Sequence, residues 1–131
     1  MNYEKYYNSL SKPFFAPPSN IFGIVWPFLY IGIIVSFGYV FYQSLVKNKW
    51  TKKLLVPFVI NLVANALYTP LFFNLQLPLL ATIDILVVLA SIVTIMVVMH
   101  SRARWVSYAQ IPYLLWVSFA SILQIAILFK N

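Results

Sequence analysis

Long apolar runs alternate along the chain with short polar interruptions. A helix that crosses a bilayer needs about 20 predominantly apolar residues, and four segments meet that length: 21–46, 54–75, 77–99 and 105–129. The first ends in KNKWTKK and the fourth follows HSRAR, while only a few residues around Gln76 and Pro78 part the second from the third. Links this short force antiparallel neighbours. The pattern therefore predicts an all-α integral membrane protein, an up-down bundle of four transmembrane helices. Ahead of the bundle, residues 1–20 are polar and aromatic, and Pro13, Pro17 and Pro18 fix φ and lack an N–H. They predict a stiff, extended lid loop, after which Ser19 or Asn20 can cap the first helix. The whole of 1–131 reads as one membrane domain.

Composition supports this reading. The chain is 63% hydrophobic and 8% charged, against about 25% charged in soluble domains, too little to clothe a water-facing surface. With no cysteine there is neither a disulfide nor a thiolate metal site. His100, the one histidine, stands beside Arg102 at a membrane boundary and reads as an interfacial residue, without the partners a metal site or an acid–base pair requires. The N-terminus carries neither a secretory nor a transit pattern. The net charge of +7 sits in the loops, where it suits anionic membrane lipid and not nucleic acid. Lys5, Lys12 and Lys130 fall on the side of the Pro-rich loop, and Lys47, Lys49, Lys52, Lys53, Arg102 and Arg104 on the other. The excess places the second side inside and the loop outside the cytosol.

Within the spans a few residues break the apolar pattern. Asn61, Asn65, Tyr68 and Phe72 share one helical face. Carboxamides in hydrocarbon are costly unless bonded, so this face points into the bundle. Asn61 reads as an interhelical hydrogen-bonding residue, whereas Asn65 reads equally as that or as a ligand contact. Pro70 should bend the end of this helix. Asp84 is the one acid in any span, roughly 8 Å in from its nearer end. An ionisable group there marks either a tether to the loop, to Lys12 or to neighbouring hydroxyls, or a direct ligand contact. On the fourth segment Tyr113, Trp116, Ala120 and Gln124 share a face, and Pro112 predicts a kink. Trp116 is too deep for an interface belt, so its ring should meet core or ligand.

These residues carry a family resemblance. Tyr6-Tyr7, Leu10, Lys12-Pro13, Pro17-Pro18, Phe22, Val25-Trp26 and Leu29-Tyr30 resemble W-Y-x-x-L-x-K-P-x-x-x-P-P and F-x-x-V-W-x-x-L-Y of the translocator protein family, the tryptophan-rich sensory proteins called TspO/MBR. NLVANALYTPLFF, LLATIDILVV and IPYLLWVSFASIL are similar to its later segments, in order. Tyr6 and Tyr68 stand where a Trp is usual, and Gln124 where an Asn is usual. The resemblance implies five helices, one of them ahead of the loop, where this sequence has no room. It leaves open a natural four-helix form or a late start. It also implies a pocket under the loop for porphyrin or haem-like tetrapyrroles, with no cofactor required. The pocket residues it implies are Tyr7, Phe22, Gly23, Trp26, Asn65, Tyr68, Ile83, Asp84, Val87, Trp116, Ala120 and Leu123. A homodimer is implied, and a prokaryotic cell membrane is favoured over the mitochondrial outer membrane. The readings that compete with sensing are light-dependent porphyrin breakdown using Trp26 and Trp116, lipid or sterol binding (cholesterol in animal members), and small-molecule transport.

Overall fold

The computed structural model of the chain describes residues 19–71, 75 and 77–130. Its regular elements are helical throughout: α1 (Ser19–Leu45), a 3-10 turn (Lys52–Leu55), α2 (Val56–Thr69), α3 (Pro78–His100), α4 (Arg104–Ala109) and α5 (Ile111–Lys130). Cross-contacts fix the directions. Tyr30 meets Asn65 and Phe37 meets Phe58, so α1 and α2 are antiparallel. The Gln124 amide reaches the Pro78 carbonyl while Ser107 bonds the Met96 carbonyl, so α3 runs against α4 and α5. The loop after α1 and the link between α3 and α4 thus share one end, called here the basic end. The start of α1 and the end of α5 share the other, the loop end.

Three helices among the described residues are long and apolar enough to cross a membrane by themselves: Gly23–Leu45, Pro78–His100 and Arg104–Lys130. The second expected span, 54–75, differs. Only Val56–Thr69 is α-helical. Pro57 sits in its first turn, where a missing N–H breaks no bond, and the 3-10 turn precedes it. Past Thr69 the hydrogen bonds widen, Leu75 N–H reaching the Pro70 carbonyl and Leu77 N–H the Leu71 carbonyl. At 1.5 Å per residue α2 spans about 21 Å, and the 3-10 turn adds about 8 Å. The crossing is therefore a composite that just matches a hydrocarbon layer of about 30 Å. Residues 72–74, and with them Phe72, lie outside the described residues.

The fourth span, expected as one helix over 105–129, is broken at Gln110. Pro112 has no N–H and its ring crowds the carbonyl four residues back. At the break the Gln110 N–H turns to the Ser107 carbonyl at 3.2 Å, and the Gln110 side chain takes up the Val106 carbonyl this leaves: its Nε2 donates to Val106 at 3.1 Å and to Ser36 Oγ at 2.9 Å.

The bundle buries an apolar core with polar groups set into it, and leaves many large apolar side chains on the outside. The interior holds Asn61, Asn65, Asp84, Ser91, Gln110, Ser121 and Gln124, while Ile24, Phe28, Ile31, Ile34, Leu115 and Ile122 stand exposed. Apolar groups outside cost nothing in lipid, and polar groups inside can bond one another. α3 lies at the centre. Its Ile85, Val88, Ile92, Ile95 and Met99 are fully buried, and it packs along both α2 and α5. α1 makes its closest backbone approach to the 3-10 turn and α4, at the basic end.

Candidate functional site

Five polar side chains, from Tyr30 to Ser91, form one directed chain of hydrogen bonds through the bundle. Tyr30 Oη donates to Asn65 Oδ1 at 3.4 Å, and Asn65 Nδ2 donates to Tyr113 Oη. Tyr113 Oη donates to Asn61 Oδ1 at 3.2 Å, Asn61 Nδ2 to Ser91 Oγ at 2.8 Å, and Ser91 Oγ to the Val88 carbonyl at 2.7 Å. The chain passes α1, α2, α5, α2 and α3, so every long element contributes. The 4-residue spacing of Asn61 and Asn65 puts both amides on the α2 face that looks at Tyr113. Both carboxamides are thereby committed to structure, and Tyr30, half-exposed, ends the chain toward the loop end.

A second polar pair lies nearer that end. Tyr68 Oη donates to Gln124 Oε1 at 2.7 Å. Tyr68 and Gln124 are two of the positions at which the chain departs from the family pattern, and here they meet. The phenol finds its acceptor in the longer amide.

Asp84 is 8% exposed, and its Oδ2 is buried without a hydrogen bond to any described residue. The expected neighbouring hydroxyls do not bond it, and the expected tether, Lys12, lies outside the described residues. Burying an unpaired carboxylate oxygen is costly.

Beside these groups an apolar groove of about 640 Å3 opens between α1 and α5. Ile24, Val25, Phe28 and Leu29 form one wall, and Pro112, Leu115, Trp116 and Phe119 the other. The Trp116 and Phe119 rings, both on this wall, are 5.7 Å apart and inclined by 42°. The kink at Gln110–Pro112 and the distant closest approach of α1 leave the two helices apart here.

The residues implied by resemblance do not gather at one place. Asn65, Asp84, Ala120 and Leu123 are buried inside the bundle, with Tyr68 half-buried beside them. Trp116 lines the groove. Trp26 does not; its ring packs on Tyr30 at 5.7 Å. Gly23 is exposed near the start of α1. Ile83 and Val87 are 51% and 41% exposed, on the outward face of α3. Tyr7 and the Phe22 side chain lie outside the described residues. The structure also brings in Tyr30, Tyr113, Phe28, Leu115 and Phe119, which sequence reasoning did not assign to a site. Tyr113 carried a signal, since it shares a face with Gln124. The others lie on uniformly apolar stretches, where periodicity does not separate a groove wall from a lipid face. Among the described residues no group of His, Asp or Glu could hold a metal ion. His100 is exposed at the end of α3, its ring 6.1 Å from Tyr108.

The sequence model of the TspO/MBR family matches residues 1–130. The chain is 37% identical over 130 residues to a tryptophan-rich protein TspO of Archaeoglobus fulgidus, covering 98% of this chain and 81% of that one. It is 34% identical over 126 residues to a protein of the same name from Chlorobaculum tepidum, covering 96% and 79%. It is also 30% identical over 124 residues to an uncharacterized membrane protein, YtaB, of Bacillus subtilis, covering 95% and 79%.

Proposed function

Since the chain belongs to the TspO/MBR family, we propose that it is a membrane sensor whose ligand is a tetrapyrrole seated against Trp116. The observation that carries this reading is the groove between α1 and α5. Its eight lining residues are all apolar, and its volume of about 640 Å3 falls within the roughly 300–1,000 Å3 of small-molecule sites. A flat macrocycle gains from the faces of Trp116 and Phe119, and aromatic pairs contribute about 0.5–1.5 kcal/mol beyond buried area. Trp26 lies off the groove wall, which favours binding over a light-driven breakdown of porphyrin shared by Trp26 and Trp116. Archaeal and bacterial relatives fit a prokaryotic cell membrane for this integral membrane protein.

The test is a titration of detergent-solubilised protein with protoporphyrin in the dark, following tryptophan fluorescence. Saturable quenching at micromolar ligand is expected. Linear, unsaturable quenching would remove the tetrapyrrole reading and leave lipid as the occupant of the groove.

A further inference from the structure

The basic end of the bundle carries charge that the chain does not balance. Lys47, Lys49, Lys52, Lys53, Arg102 and Arg104 gather there, six of the nine basic residues. The chain has two acids. Asp84 lies about two turns from the opposite end of α3, and Glu4 lies outside the described residues. Among the described residues, none of the six cations has a carboxylate counter-charge at its own end.

The fold gathers these cations onto one face. Tyr39 joins the two basic links, its ring 6.3 Å from Trp50 and 4.9 Å from Trp105. The first link is a tight turn in which Asn48 takes φ 53° and the Lys49 N–H donates to the Gln43 carbonyl at 2.8 Å. That turn lays Lys49 Nζ over the Trp50 ring at 5.0 Å and Lys47 Nζ over Tyr42 at 5.8 Å. Arg102 Nη1 donates to the Val98 carbonyl at 2.8 Å, closing the end of α3. Three of the six cations are thus held in place, and the rings that hold the two lysines are of the kind that settles at headgroup level.

We propose that this face docks anionic phospholipid, with phosphodiester headgroups of the phosphatidylglycerol type supplying the missing negative charge. The argument is charge complementarity. Each Lys or Arg near an anionic bilayer surface contributes favourably, and among the described residues no acid competes for these six. The cation–ring contacts leave the ammonium groups free to donate to phosphate oxygens on their open sides. The inference is independent of what the groove beside Trp116 binds.

The experiment reconstitutes the full chain in phosphatidylcholine vesicles containing trace lipid with a nitroxide high on the acyl chain. Tryptophan quenching by labelled phosphatidylglycerol is compared with quenching by labelled phosphatidylcholine. Both leaflets have the same composition, so the orientation of insertion does not matter. A relative preference for phosphatidylglycerol of roughly threefold or more is expected at low salt. It should fall toward unity near 1 M salt, where the screening length is about 3 Å, and in the triple variant Lys49→Gln/Lys52→Gln/Arg104→Gln. Lys130→Gln, at the other end, should keep the full preference. Equal quenching by the two lipids would overturn the proposal and point to an acidic protein as the source of the counter-charge. A preference lost in Lys130→Gln, or retained in a triple variant of unchanged helix content, would overturn it too.

Discussion

At the scale of single residues, Tyr113 and Asp84 play opposite parts. Tyr113 satisfies two carboxamides, accepting from Asn65 and donating to Asn61. Tyr113→Phe strands both, so it should cost roughly 1–2 kcal/mol. Tyr30→Phe removes one bond of 3.4 Å and should cost about 0.5 kcal/mol or less. Unfolding in mixed detergent micelles measures both, and equal losses would contradict the directed chain. Asp84 instead spends stability, because Oδ2 is buried with no partner among the described residues. Asp84→Leu in ligand-free protein should therefore leave the thermal midpoint unchanged or raise it, since replacing a buried unpaired charge by an apolar group is neutral to favourable. A loss of more than about 1 kcal/mol would show that the carboxylate is a structural tether.

At the scale of elements, the sequence places the crossings well and their interiors less well. Apolar length locates α1 and α3 because both are uninterrupted. It overextends the second span because hydropathy does not register that Pro57 and Pro70 bracket the regular helix at Val56–Thr69. The kink of the fourth span is legible in Pro112, but its position at Gln110 depends on an amide that bonds both Val106 and Ser36. In Pro112→Ala a backbone N–H returns and α4 can run into α5. Amide hydrogen exchange of Ala109, Gln110, Ile111 and Tyr113 in the variant should then slow relative to the same residues of the natural chain, and unchanged exchange would mean that Gln110 alone sets the break. The site divides the same way. Asn61, Asn65, Tyr113 and Gln124 declare an inward face because polar groups in hydrocarbon must find partners. Phe28, Leu115 and Phe119 could not be told from lipid-facing residues, because in a bilayer an apolar groove and an apolar exterior have the same composition.

At the scale of the molecule, charge and packing give direction. Among the described residues the basic end holds six cations and the opposite end only Lys130, so the former should face the cytosol. The chain has no cysteine, and Asn48 sits exposed in the basic turn, so Asn48→Cys offers a single label site. A membrane-impermeant thiol reagent should label it in intact cells only after permeabilisation. Labelling without permeabilisation would reverse the topology. The central claim concerns the other half of the bundle, where the groove, and not the outward face of α3, receives the ligand. It is tested most directly by dark protoporphyrin titrations of Trp116→Ala and Ile83→Ala side by side. Trp116 lines the groove and Ile83 is 51% exposed on α3. Trp116→Ala should weaken binding by about tenfold, and Ile83→Ala should leave it unchanged. Full-strength binding in Trp116→Ala, with loss in Ile83→Ala, would contradict the account and move the site to the outer face of α3.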